Sequence, residues 1–261
     1  MNFDNKKGFI TEAQQKEALG QGEMTVSEWI GLCSTYGIGF KDVFSCNTKY
    51  TIEEVADDGT TSRECSVYTI SNGNAFDCPA LHRGACNVPC YGLKGCYRWD
   101  SAKYNKEFQR LVLRFAPVEW LFEAIRHLAT NTRCKDGNRL RFVRLNEVSD
   151  LTQELLDKVI TLCKLLESDK ATANVVVFTY TKQGGAVDFT KAGKQSNLVI
   201  NTSQTVNPVY DGGNVYIAVD KEYFDNIIES DVVKKCNCQI SCTDCGLCYT
   251  DGGYIIFCLI H

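Results

Sequence analysis

Asn174-Val175-Val176-Val177-Phe178-Thr179-Tyr180 is the run that decides the fold. Its interior is β-branched or aromatic without interruption. A strand with one wet face alternates apolar and polar residues, whereas an unbroken run marks a strand buried on both faces, as in a parallel sheet. Ahead of it, Leu151 to Ser168 (LTQELLDKVITLCKLLES) places apolar residues at helical spacing, and Leu140 to Asn146 (LRFVRLN) reads as another strand. Behind it, Asn197-Leu-Val-Ile-Asn201 and Asn214-Val-Tyr-Ile-Ala-Val219 repeat the buried-strand pattern. Val187 to Ala192 reads as a short helix, Lys221 to Ser230 as another, and Tyr254 to Ile260 as a closing strand. Strand–helix alternation of this kind implies parallel strands joined by right-handed crossovers. The expected fold is α/β: a partial TIM-like (β/α) barrel with cysteine-rich loops at its mouth.

Upstream, short helices are expected at Thr11 to Leu19 and at Thr25 to Cys33. Thr25 and Glu28 have capping-box spacing, in which a hydroxyl takes an orphan amide of the first turn and the carboxylate reaches back. Lys49 to Ile70 reads as a β-hairpin turning at Asp57-Asp58-Gly59, because Gly accepts positive φ. Ser71 to Asp100 is loop-like and rich in Gly, Asn and Cys. Helices follow from Ser101 to Phe115 and from Pro117 onward. The chain divides into an N-terminal extension, residues 1–75, and a barrel-like domain, residues 76–261.

The 261 residues are 44% apolar and 23% charged, an ordinary globular composition long enough for a sizeable core. A net charge of −4 argues against non-specific affinity for nucleic acid or anionic membrane. No apolar run approaches the ~20 residues of a membrane helix. The opening MNFDNKKGFITEAQQKEALGQGE lacks the apolar core of a secretory signal. The expected location is therefore cytoplasmic, where structural disulfides are rare. The 15 cysteines are expected to be metal ligands plus a few core residues. Cys33, Cys65 and Cys163 fall on apolar faces and suit packing, while Cys46 and Cys134 are undecided.

Two sets of cysteines stand apart. Cys78, Cys86, Cys90 and Cys96 lie in the Ser71–Asp100 loop, with Cys86-Asn-Val-Pro-Cys90 spanning a proline turn. Cys236, Cys238, Cys242, Cys245 and Cys248 crowd one short loop, and Cys258 follows in the last strand. Zinc sites favour paired C-x-x-C knuckles, and the upstream set has none. The run Cys242-Thr-Asp-Cys245-Gly-Leu-Cys248 resembles the three-cysteine repeat of bacterial ferredoxins, whose thiolates reach three irons of one 4Fe–4S cube. Neither set has a complete spacing alone, so the expectation is that both converge on a 4Fe–4S or one larger shared cluster. Zinc stays open as the other metal, with a zinc-stabilised binding module as its function. The histidines show no metal spacing, and no phosphate-binding glycine loop is present.

The stretches C-P-A-L-H-R-G-A-C-N-V-P-C-Y, R-F-V-R-L-N-E-V-S-D, V-F-T-Y-T-K, L-V-I-N-T-S and C-T-D-C-G-L-C-Y resemble the phage "gene product 88" family over about residues 76–261. The layout of that family is similar to radical S-adenosylmethionine enzymes, with an iron–sulfur loop at the mouth of a part barrel. The resemblance implies a phage protein working in host cytoplasm, oxygen-sensitive, with S-adenosylmethionine as a possible cofactor. The spacing here, Cys86-x3-Cys90-x5-Cys96, differs from the C-x3-C-x2-C of that enzyme class.

In parallel barrels, polar residues at the carboxyl ends of strands face the mouth. Asn146, Glu147, Asp150, Tyr180 and Lys182 are the candidate catalytic residues on that ground, and Ser149, Asn201 and Ser203 the candidate cofactor-binding residues. The blander alternative for Ser149 or Asp150 is a cap on the helix that starts near Leu151. Together these features point to a redox or radical enzyme acting on a small molecule or nucleotide. The alternative is a fully ligated cluster serving electron transfer, sensing or hydrolysis of a phosphate compound.

Overall fold

The computed structural model describes residues 3–46, 51–55, 61–65, 67–84, 90–93, 95–131, 142–183, 185–203, 208–236 and 245–259. Helices α1 (Phe3–Ala18) and α2 (Val26–Thr35) come first, and Thr25 caps α2 with the full reciprocal capping box to Glu28. Strands β1 (Thr51–Val55) and β2 (Thr61–Cys65) pair antiparallel, and the turn residues 56–60 lie outside the described set. The second arm of the expected hairpin ends there. Val67–Ile70 is a separate strand, β3, which opens the main sheet.

The rest of the chain supplies α3 (Pro79–His82), α4 (Asp100–Phe115), α5 (Val118–Asn131), β4 (Phe142–Leu145), α6 (Gln153–Ser168), β5 (Val176–Thr181), β6 (Leu198–Ser203), β7 (Val215–Val219), α7 (Lys221–Asn226), β8 (Val233–Cys236) and β9 (Ile255–Leu259). The helix expected at Val187 to Ala192 is instead a run of turns ending in a 3-10 turn, Ala192–Lys194. Its few apolar residues suffice to anchor a loop but not to hold a helical face. Strand β8 escaped the sequence pattern because it is four residues long, reads Val-Lys-Lys-Cys and sits at an edge.

The main sheet has seven strands in the order β3-β4-β5-β6-β7-β9-β8, and every pairing is parallel. It is open, with β3 and β8 as its edges, rather than closed into a barrel. The physical reason lies at the end of the chain. Strand β9 inserts between β7 and β8, so the last strand fills a gap instead of reaching back to β3.

Alternation along each strand sorts side chains to two faces. Ile70, Val143, Leu145, Val177, Leu198 and Ile200 face a core shared with α1, α2, α4, α5 and α6. In that core Phe9 of α1 lies edge-on to Trp29 of α2 and to Phe108 of α4, with ring centroids 5.6 and 5.1 Å apart. Residues before 76, expected as an appendage, thus contribute an edge strand and two helices to the main body.

The opposite face carries Val67, Phe178 and Val199, then Cys236, Ile256 and Cys258. The chain returning from β8 to β9 covers it: Cys248 and Tyr249 pack on the first group, Cys245 and Leu247 on the second. Tyr249 stacks on Phe142 with centroids 3.6 Å apart. Two buried carboxamides latch this segment. Asn201 Nδ2 donates to the Cys248 carbonyl at 2.8 Å. Asn214 Nδ2 donates to the Thr250 carbonyl at 2.8 Å, while its Oδ1 accepts from the amides of Gly252 and Tyr254. No helix among the described residues is long and apolar enough to cross a membrane.

The Asn214→Ala substitution takes the partner from the Thr250 carbonyl and from the Gly252 and Tyr254 amides, all part-buried, with an expected cost of about 1–3 kcal/mol in total. Chemical denaturation is expected to show a loss of that size. Amide exchange at Gly252 and Tyr254 is expected to accelerate first, and a uniform change across the sheet would count against the latch.

Candidate functional site

All seven strands run the same way, so their carboxyl ends form one edge of the sheet. Ligand sites in such sheets lie at that edge. Both cysteine-bearing loops start there, one after β3 and the other after β8. Among the expected ligands, Cys86, Cys238 and Cys242 lie outside the described residues, and Cys96 is described by backbone alone, in the 3-10 turn Gly95–Arg98.

Cys78 precedes α3 at its N-cap position, and Pro79 occupies the first turn, where a missing N–H costs nothing. Burial pushes the Cys78 thiol up, against backbone N–H groups of Leu81 and Ala80 that favour the thiolate; Asp150 and Cys90 lie close enough to add repulsion. Cys90 is half-buried. A side chain at Gly92 would put its Cβ 2.8 Å from Val148 and 3.5 Å from the Cys90 sulfur, so only glycine lets this loop lie on the segment after β4.

That segment holds Asn146, Glu147, Ser149 and Asp150. Asn146 and Ser149 have φ of 54° and 77°, left-handed values rare outside glycine. Neither Ser149 nor Asp150 caps α6. Thr152 does, accepting from the Leu155 amide. Asp150 is instead a buried tie between strands: Oδ1 accepts from Thr181 Oγ1 at 2.7 Å and from the Leu151 amide at 2.7 Å, and Oδ2 accepts from the Lys182 amide at 2.8 Å. Burial pushes its carboxyl above the ordinary range despite those donors. Glu147 makes a buried ion pair with Lys106 of α4 at 2.8 Å. Burial opposes its ionisation, but Lys106, Arg144 and Tyr97 together hold its carboxyl below the ordinary range.

The second cluster lies on the covered face. Arg144 stands over the Tyr180 ring at 5.2 Å, and Tyr180 lies edge-on to Tyr216 at 5.0 Å. Cys236 and Cys258 are register partners on β8 and β9. The Cys236 thiol donates to Cys248 and does most to hold that sulfur below the ordinary thiol range; burial and Cys245 oppose this, while the Tyr180 hydroxyl and the Arg144 charge favour it. Arg144 is the link between the clusters, since its charge acts on both Glu147 and Cys248. Asn201 is engaged with the carbonyls of Thr179 and Cys248, so it positions a cysteine. Ser203 ends β6 opposite Tyr216.

Of the other cysteines, Cys33 and Cys163 are buried in the core, and burial pushes the Cys33 thiol up to about 12. Cys46 is disulfide-bonded, a role outside the expected ligand and core classes. Cys134 lies outside the described residues, as does the Cys65 side chain. Among the described residues no group of three or more His, Cys, Asp or Glu side chains is placed to hold a metal ion. Arg144, Asn214 and Gln183 were not singled out in the sequence. An Arg within an apolar strand was the one available signal.

Fold and site define an α/β protein whose open, seven-stranded main sheet is all-parallel, with thiol-bearing loops at the carboxyl edge of that sheet. The model of one protein family, gene product 88, matches residues 44–251. The chain belongs to this phage gene product family, and the match begins before β1 rather than near residue 76. No curated protein and no solved structure matches the chain.

Replacing Glu147 by Gln strands the Lys106 charge in a buried site, with an expected loss of about 3–5 kcal/mol in urea denaturation near neutral pH. Because the folded carboxyl titrates below its ordinary value, the pair stabilises above the ordinary carboxylate range, about 4. That stability is lost as pH falls through the lower folded value. The Gln variant is expected to show a shallower acid limb, and parallel acid limbs would assign the pair no electrostatic role.

Proposed function

We propose that this chain is an iron–sulfur protein acting at the carboxyl edge of its sheet, with a redox or radical-type reaction on a small molecule or nucleotide as its activity. The observation that supports it most is topological: two loops far apart in sequence, each dense in cysteine, leave the same edge of one parallel sheet. The donor set fits. Cys78, Cys86, Cys90 and Cys96 from one loop, and Cys236, Cys238, Cys242, Cys245, Cys248 and Cys258 from and beside the other, would hold a 4Fe–4S or larger shared cluster. Such a cluster supplies one-electron chemistry and, with one iron open, a place for S-adenosylmethionine.

The chain's own residues supply the setting. Before metal binds, the Cys236 thiol donates to Cys248 and, with the Tyr180 hydroxyl and the Arg144 charge, favours its thiolate, the form that ligates metal. Asn201 fixes the Cys248 backbone. Phe142, Phe178 and Tyr249 shield the covered face from water. At the carboxyl edge of the open sheet, Asn146 and Lys182 would meet a substrate. The second reading, a fully ligated cluster for electron transfer or sensing, is favoured by the number of thiols on the covered face, Cys236, Cys245, Cys248 and Cys258. A zinc-stabilised binding module is the third.

Protein purified without oxygen is expected to be brown and to contain iron and acid-labile sulfide in equal amounts. Both are expected to fall in Cys90→Ala and in Cys248→Ala separately, since each loop contributes ligands. A colourless protein, a zinc-loaded one, or iron indifferent to one of the two substitutions would overturn the shared-cluster reading. Formation of 5′-deoxyadenosine from S-adenosylmethionine after dithionite reduction separates the radical enzyme from the fully ligated carrier.

A further inference from the structure

Three polar side-chain atoms at the carboxyl ends of β4 and β5 are buried without a hydrogen-bond partner: Asn146 Nδ2, Ser149 Oγ and Gln183 Nε2. Asn146 and Gln183 are 3% and 2% exposed. A buried donor left unpaired costs about 1–3 kcal/mol, so several in one place mark a group the site is built to receive.

Their residues lie along one hydrogen-bond chain at those strand ends. The Asn72 amide donates to Asn146 Oδ1, and Asn72 Nδ2 to the Asp150 carbonyl, each at 3.1 Å. Asp150 accepts from Thr181 Oγ1, which in turn accepts from the Gln183 amide at 3.0 Å. Arg83 Nη1 donates to Gln183 Oε1 at 3.1 Å. Ser149 is joined directly to Asp150. Asn146 and Ser149 are also the two non-glycine residues with positive φ among those described, strain of roughly 1–3 kcal/mol each that tends to collect at binding sites. Cys78 and Cys90 border the same segment.

The donors state what the ligand must offer. Two are amide nitrogens, which only donate, so acceptor oxygens must face them. None of the three is charged, and the Asp150 carboxyl group lies within the network, so one negative charge fits better than two. Arg83 and Lys182 border the site and favour an anion. We propose that Asn146, Ser149 and Gln183 recognise the carboxylate of a small-molecule ligand beside Cys78 and Cys90. This deepens the function proposed above by naming the ligand chemistry; the recognition itself uses no metal.

The observed bonds allow a clean test. Gln183→Glu and Asn146→Asp keep the oxygens that accept from Arg83 and Asn72, convert the orphan donor into an acceptor and add a negative charge that also opposes a carboxylate. Equilibrium dialysis with labelled acetate, at constant ionic strength in chloride, is expected to show saturable binding by the full chain. Gln183→Glu is expected to weaken it by roughly tenfold or more, the loss of one charge-assisted hydrogen bond. Ser149→Ala, the least disruptive change, is expected to weaken it less. Acetate uptake no greater than in chloride alone, affinity unchanged in all three variants, or tighter binding of inorganic phosphate would overturn the assignment. Iron content of the same samples keeps the two readings apart. A colourless protein that still takes up acetate rejects the cluster and keeps this site, and an iron-loaded protein indifferent to acetate does the reverse.

Discussion

A parallel sheet must be covered on both faces, because its strands carry apolar residues on both. Here the helices α1, α2, α4, α5 and α6 share a core with one face. The other face is covered by the chain that returns from β8 to β9, and that chain is the cysteine-rich segment. Cys245 and Cys248 are therefore at once structural cover and candidate metal ligands. Tyr249 stacked on Phe142, Cys248 against Phe178 and Val199, and the Asn201 and Asn214 latches show the segment held by packing and hydrogen bonds of its own.

That double duty explains how polarity is distributed. On the covered face the Arg144 charge is held over Tyr180 and acts on both Glu147 and Cys248. On the strand ends, Glu147 is answered by Lys106 and Asp150 by three donors, while the atoms Asn146 Nδ2, Ser149 Oγ and Gln183 Nε2 are left unanswered. Neutral donors orphaned beside satisfied carboxylates are the contrast on which the proposed carboxylate site rests.

Much of this was legible in the residues. The Val-Val-Val-Phe run, the α6 periodicity and the Thr25–Glu28 spacing are local signals whose physics is local too: burial on both faces, helical period and orphan amides in a first turn. The strand β3 was hidden because hairpin alternation and an edge strand of a parallel sheet look alike over four residues. Strand β8 was hidden because charged side chains on an edge mask the apolar pattern. The site was half legible. Residues after strands announce themselves by position, but the role of Asp150 as a tie between β4 and β5, rather than a helix cap, depends on Thr181 and Lys182 arriving beside it.

The sequence by itself determined that this is a parallel α/β protein with two thiol-bearing loops, because strand burial, helix period and cysteine spacing are properties of short stretches. Only the tertiary structure decided that the sheet stays open, that β9 slips between β7 and β8, and that Arg144, Tyr180 and Cys248 meet. Strand order and meeting points depend on contacts between segments far apart in the chain, and no local pattern of side chains encodes which distant partner will fill a given edge.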